Sequence, residues 1–222
     1  MFDSKYSKVL TVILVLVIIA IIGLLCFFGY DFYQKYFIEK ETADFVDSYN
    51  QDLNNDNENT VDENTTTGAT NPIDQIEETP NPSGSGSTKK TYKGYVVMGT
   101  MEIPKTNFKY PVLERVTPKA IETSVAILYG VGLNQPGNTV IVGHNYRNGL
   151  FFSNNKKLSE GDKIYITDNS GKKLTYTIYS KFETTSEDTS FYQRDTNGKA
   201  EVTLSTCTDD SSARIIILAR ED

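Results

Sequence analysis

Hydrophobic and polar positions divide the chain into three stretches of different character. Residues 9–28, VLTVILVLVIIAIIGLLCFF, carry no charge. At about 1.5 Å per residue such a run spans the roughly 30 Å hydrocarbon core of a bilayer. The pattern therefore predicts a transmembrane helix over 9–30 behind a short tail, residues 1–8. A cleaved signal sequence has an apolar run of about 7–15 residues and a small-x-small cleavage site. Here the run leads into LLCFFGYDFYQKYF, and bulky Leu25 precedes Cys26. The helix is expected to be retained as an anchor.

The second stretch, residues 31–91, is polar and acidic, and it ends in a Ser-Gly repeat of flexible-linker composition. With so few apolar residues it cannot offset the entropy of ordering, so a disordered stalk is expected there. No EF-hand spacing occurs in it. The third stretch, residues 92–222, is built of short β-branched and aromatic runs broken by turn residues. Strands are predicted over 94–104, 108–114, 138–144, 162–168, 173–183, 200–207 and 213–220, with DNSG at 168–171 closing a hairpin. A helix is predicted at TPKAIETSV, with Thr117 as its N-cap and Pro118 at its first position. A second helical stretch is predicted at GLFFSNNKKL. Many short strands with little helix indicate an all-β fold, a closed barrel or a sandwich.

Charge refines this picture without changing it. The formal net charge is −7, but residues 41–88 hold eleven acidic side chains and no Lys or Arg. The folded part is thus nearly neutral and lacks the basic patch that nucleic-acid binding requires. Lys5 and Lys8 on one side of the apolar run nearly balance Lys35 and Lys40 on the other. The short tail and the lysine-free acidic tract tip the domain to the outer side, with Tyr30, Tyr33, Tyr36 and Phe37 as interfacial aromatics. Cys26 and Cys207 lie in zones too different to pair, and no Cys/His cluster suggests zinc.

The last two strands, AEVTLSTC and ARIIILAR, frame the turn TDDSSA. If they pair antiparallel with Cys207 opposite Arg214, then Ser205 faces Ile216, Thr203 faces Leu218 and Glu201 faces Arg220. Directly opposed residues lie about 4.5–5.5 Å apart, so a thiol and a guanidinium meet at the mouth of the sheet. A neighbouring cation favours the nucleophilic thiolate, and the guanidinium fork can stabilise an oxyanion. The alternative is a Cys207 that merely fills space. Arg220 reads as an ordinary exposed ion-pair partner of Glu201. His144, the only histidine, ends the run NTVIVGHN at another strand exit, and Cys/His nucleophilic catalysis needs just these two groups. Asn145, its neighbour, is expected to point to the opposite face.

TLSTC at 203–207, an Arg at the start of the final strand, VGH upstream and MEIP near the domain's start together resemble the sortase family over residues 92–222. The resemblance implies an eight-stranded β-barrel with one or two short helices, and a cysteine transpeptidase on the cell surface. It implies cleavage of a Leu-Pro-x-Thr-Gly-like sorting signal and transfer of the Thr carbonyl to an amine of the cell wall, anchoring surface proteins. The alternatives are a pilin-polymerising sortase, or a cysteine protease or hydrolase without transpeptidation. The resemblance makes Cys207 the nucleophile, His144 the acid and base, and Arg214 the oxyanion or carbonyl holder. Thr206 matches a position that orients substrate, and Ser205 gives the motif a class-B-like centre. The loop 183–199 sits where the family has its specificity loop, so Phe191 and Tyr192 either line the signal groove or cap the barrel. No cofactor is assigned; Glu183, Glu187 and Asp188 are the groups through which calcium would act. A missing Asp-Pro-aromatic lid and a missing second apolar segment weigh against the pilin-polymerising alternative. Expected partners are surface proteins with a C-terminal sorting signal and a peptidoglycan precursor or pilin amine. The expected location is the cell membrane, single-pass, with the domain extracellular.

Overall fold

A computed structural model describes residues 4–58 and 90–222. Two compact units are present, Met1–Thr42 and Ala43–Asp222. Helix α1, Ser4–Glu58, carries the apolar run, and its most apolar window has no side chain covered by protein. It is long and apolar enough to cross a membrane.

The second unit is a barrel. A two-residue strand β1, Thr91–Tyr92, precedes β2, Tyr95–Ile103, and β3, Phe108–Leu113. Then come β4, Val125–Gly130, β5, Gly137–Val142, β6, Lys163–Asp168, β7, Lys173–Thr184, β8, Ala200–Cys207, and β9, Arg214–Glu221. From β2 the strands run β2-β3-β4-β5-β8-β9-β7-β6, and β6 pairs back onto β2. Eight strands thus close on themselves, which removes exposed sheet edges. Two neighbouring pairs are parallel, β3 with β4 and β5 with β8. The second of these needs a crossover, which β6 and β7 supply.

Alternation along β5, β8 and β9 sorts the side chains into two rows. Ile141, Leu204 and Ile217 pair across the strands and are fully buried inside the barrel. The next residues, Val142, Ser205 and Ile216, form a row on the outer face. That row is covered as well, because Phe191 of the β7–β8 loop packs on Val140 and Ile216. Strand β8 is consequently buried nearly throughout, and its sequence reads as a run rather than as an alternation.

Between β3 and β5 the sequence-based expectation needs correction. The helix at TPKAIETSV is one turn, α2, Pro118–Ile121, capped as predicted by Thr117, whose Oγ1 accepts from the Ala120 amide at 3.1 Å. The chain then enters β4, which sequence reading missed. VAILYG is a six-residue apolar run interrupted by a bulge between Ile127 and Tyr129, and such runs give no periodicity to read. GLFFSNNKKL forms the expected short helical stretch as a 3-10 helix, Phe152–Lys157.

The stalk, expected to begin at residue 31, does not begin there: α1 runs to Glu58. Its last turns pack within the barrel unit, with Tyr49 buried against Tyr92, Val97 and Leu113, and with Phe45 and Leu53 beside them. Thr100 Oγ1 donates to Asn50 Oδ1 at 2.9 Å, and Lys90 and Lys109 pair with Asp52 and Asp47. The apolar residues of FVDSYNQDL recur at helical spacing, a stripe that the acidic composition obscured. The rest of the expected stalk, 59–89, lies outside the described residues.

Candidate active site

The β8–β9 hairpin has the register expected from sequence: Cys207 opposes Arg214, Ser205 opposes Ile216, Thr203 opposes Leu218 and Glu201 opposes Arg220. The turn between them is braced internally. The Thr208 amide donates to Ala213 O at 3.0 Å, and Asp210 accepts from the Thr208 hydroxyl and from Ser212. Those hydrogen bonds hold the Asp210 carboxyl down at about 2.

His144 reaches Cys207 through the parallel pairing of β5 with β8. Val142 lies beside Ser205, the Gly143 amide donates to Ser205 O at 3.3 Å, and Thr206 Oγ1 donates to Gly143 O at 2.7 Å. Extending the register by two residues sets His144 alongside Cys207. Gly143 is required by space: a Cβ there would sit 2.7 Å from Val125 Cγ1 and 3.0 Å from the Phe152 ring. Cys207, His144 and Arg214 are each half-buried. They occupy one end of three adjacent strands, on the same outer face.

Two neighbours hold this end in place. Asn145, buried, donates from Nδ2 to Cys207 O at 3.0 Å and to Asp209 Oδ1 at 2.9 Å. Lys156 pairs with the same Asp209; the lysine and then Asn145 hold that carboxyl below its ordinary value. Tyr146 stacks on the His144 ring, with centroids 4.8 Å apart and planes at 27°, and it also meets the Phe151 ring at 5.7 Å. Sequence reading did not single out Tyr146; its place two residues after the histidine was the only signal.

The remaining candidates fall into distinct positions. Thr206 is buried, and its hydroxyl is committed to Gly143 O, so it acts on the strand that carries His144. Ser205 lies in the covered outer row beside Ile216. Phe191 caps that row, while Tyr192 turns toward Tyr129, ring to ring at 5.3 Å. Tyr129, Tyr192, Leu128, Val131 and Arg115 line an open cleft of 1060 Å³. On β5 it reaches Asn138, beside Glu201, about 20 Å along β8 from Cys207 at roughly 3.3 Å per residue.

Glu201 is not the exposed ion-pair partner expected from sequence. Its side chain is 0% exposed, with Arg220 Nε at 2.6 Å from Oε1 and Arg194 Nε at 2.6 Å from Oε2. Tyr179 also donates to Oε2, at 2.8 Å. Burial pushes this carboxyl up, but the hydrogen bonds from Arg220, Tyr179 and Arg194 outweigh it and hold the group below its ordinary value. Arg194 carries no sequence signal, since it sits in an irregular loop.

Among the described residues no group of three His, Cys, Asp or Glu side chains could hold a metal ion. Of the acidic loop residues, Asp188 accepts from Thr184 Oγ1 and the Ser190 amide, and Glu187 accepts from Ser186 Oγ.

A family model for the sortase domain matches residues 101–222. Sortase A of Bacillus anthracis is 32% identical over 124 residues, which is 54% of this chain and 58% of that relative. The match thus spans little more than half the length of that protein. A lid mutant of sortase A from Corynebacterium diphtheriae superposes with a TM-score of 0.53 at 28% identity, over 58% of this chain and 71% of that one. A sortase D5 transpeptidase from Clostridium perfringens does so with a TM-score of 0.52 at 26% identity, over 57% and 79%.

Proposed function

Because the chain belongs to the sortase family, a family of cysteine transpeptidases, we propose that it is a membrane-anchored transpeptidase acting on a Leu-Pro-x-Thr-Gly-like sorting signal. One observation carries the reading: the β5–β8–β9 register sets His144, Cys207 and Arg214 side by side at one end of the sheet.

In the first half-reaction the Cys207 thiolate attacks the Thr carbonyl carbon of the Thr–Gly bond. Arg214 donates hydrogen bonds to the oxygen on which negative charge develops. The C–N bond then breaks, and His144 in its imidazolium form gives its proton to the departing amine. A thioester on Cys207 remains. In the second half-reaction an acceptor amine attacks that thioester while neutral His144 takes its proton. The Cys207 thiolate departs and the new amide is complete.

Thr206 and Asn145 act at one remove. The first ties β8 to the carbonyl before His144, and the second ties the residue after His144 to the carbonyl of Cys207. Ser205 and Phe191 form the floor next to the nucleophile, where the residues before the scissile bond would lie. The acceptor is proposed to be a cell-wall amine, with α1 as a retained anchor and the barrel outside the cell. The TLSTC motif is class-B-like, whereas the relatives compared are sortases A and D, so the proposal is made for the family and not for a class.

The test uses the full-length chain in detergent with a sorting-signal peptide, with and without an amine such as hydroxylamine or an amino-terminal glycine peptide. The expected result is a mass increase on Cys207 that the amine discharges into a new amide, and no adduct with Cys207→Ala. An adduct on any other residue, or normal turnover by Cys207→Ala, overturns the reading. Discharge by water alone, with the amine ignored, would make the chain a hydrolase.

A further inference from the structure

The β7–β8 loop, residues 185–199, carries the aromatic pair that covers the outer row beside Cys207, and one of its own side chains fastens it there. Arg194 is 18% exposed in its side chain and uses its whole fork. Nε donates to Glu201 Oε2 at 2.6 Å, and Nη1 to Phe191 O at 2.8 Å and to Thr203 Oγ1 at 3.0 Å. Nη2 donates to Asn138 Oδ1 at 3.0 Å. Asn138 completes the ring by donating from Nδ2 to Phe191 O at 3.2 Å and Tyr192 O at 2.9 Å, while Thr203 Oγ1 donates to Asn138 Oδ1 at 2.9 Å.

Every polar atom in this ring that faces the sheet has a partner, and the ring joins β5 and β8 to both carbonyls of the Phe191–Tyr192 pair. Its centre is the Glu201 carboxylate, fully shielded from water. A buried carboxylate tolerates the loss of a cation poorly. Lifting the loop would withdraw Arg194 from it and break the ring as a unit. The loop is therefore held shut by a charge that the barrel itself buries.

We propose that Arg194 is a positioning residue that presets the β7–β8 loop, so that Phe191 and Tyr192 form the wall of the substrate groove before substrate arrives. This rests on the transpeptidase reading for what the groove binds, and on the geometry alone for the loop. A preset wall spares the ordering cost that binding would otherwise carry. Loss of the lock thus weakens peptide binding more than it slows the chemical step, because Cys207 lies four residues along β8 from Thr203 and His144 six residues beyond Asn138, at the far end of the strands the ring joins.

Two substitutions in the full-length chain test this. Arg194→Lys keeps a cation for Glu201 but loses the fork; Asn138→Ala removes the amide's own bonds to the Phe191 and Tyr192 carbonyls and leaves the Arg194–Glu201 pair and the Arg194 bond to Phe191 O. In each, amide hydrogen exchange over 185–199 should quicken about tenfold or more while β2 and β3 exchange as before. KM for the sorting-signal peptide should rise about tenfold, with kcat held within about threefold. Unchanged loop exchange in both variants overturns the proposal, as does an equal fall in kcat at constant KM. If Arg194→Lys loosens the whole barrel, Asn138→Ala decides the matter. If the wild-type chain turns over no sorting-signal peptide, the transpeptidase reading fails while the exchange comparison still judges the lock.

Discussion

Cys207 has its two chemical partners on different strands, and each can be removed separately. His144→Ala should lower turnover by about 10²–10⁴-fold, the usual worth of general acid–base catalysis, because the departing amine then leaves unprotonated. Arg214→Ala should cut turnover severely without lowering the melting temperature, as the residue is half-buried at a strand start. A subtler case is Tyr146, whose ring lies against His144. Aromatic pairs contribute about 0.5–1.5 kcal/mol beyond simple burial, so Tyr146→Ala should reduce kcat by up to roughly tenfold and Tyr146→Phe should restore it. A Tyr146→Phe variant as slow as Tyr146→Ala would assign the effect to the hydroxyl rather than to the stack.

At the scale of the hairpin, the two arginines of β9 have different duties. Arg214 opposes the nucleophile and Arg220 opposes Glu201, as the turn length implied, yet the second pair is not the negligible surface contact that the sequence suggested. Arg220→Ala leaves Oε1 of a buried carboxylate without its partner. Such a loss costs about 1–3 kcal/mol, so chemical denaturation should show a clear destabilisation, with kcat little altered. The pH dependence has a definite sign. Glu201 is held below its ordinary value of 4.5, so the unfolded chain takes up the proton first as the solution is acidified. The stabilisation is present above about 4.5 and is lost as pH falls through the folded value. Glu201→Gln should therefore flatten the decline of melting temperature on the acid side. An acid limb as steep as that of the wild type would show that other carboxylates govern it.

For the whole molecule, the last turns of α1 belong to the barrel's compact unit. Tyr49 is 2% exposed among Tyr92, Val97 and Leu113, and removing a large buried aromatic ring costs about 3–5 kcal/mol. Tyr49→Ala should accordingly destabilise the barrel although it lies far from Cys207 in sequence. The same packing sharpens the topology test. Protease added to intact cells should cut within 59–89, where Ser, Gly and Pro accumulate, and should spare 43–55, which the barrel partly covers. Protection of the whole chain until the cells are lysed would reverse the proposed outward orientation.

The sequence by itself determined what depends on near neighbours. A charge-free run long enough for a bilayer, strands bounded by turn residues, and the pairing of Cys207 with Arg214 across a six-residue turn all follow from local spacing. The strand-exit positions of Cys207 and His144 suggested their partnership, and the family resemblance gave each its role. What only the tertiary structure decided involves residues brought together from far apart. The parallel pairing of β5 with β8 sets His144 beside Cys207, and no spacing rule predicts which strands will be neighbours across a crossover. Burial of Glu201 depends on a loop folding over its strand, so an ion pair read as exposed became the centre of the Arg194 ring. The helical stripe at Phe45, Tyr49 and Leu53 stayed hidden in an acidic tract, because an amphipathic face stabilises a helix only when a partner surface exists to cover it.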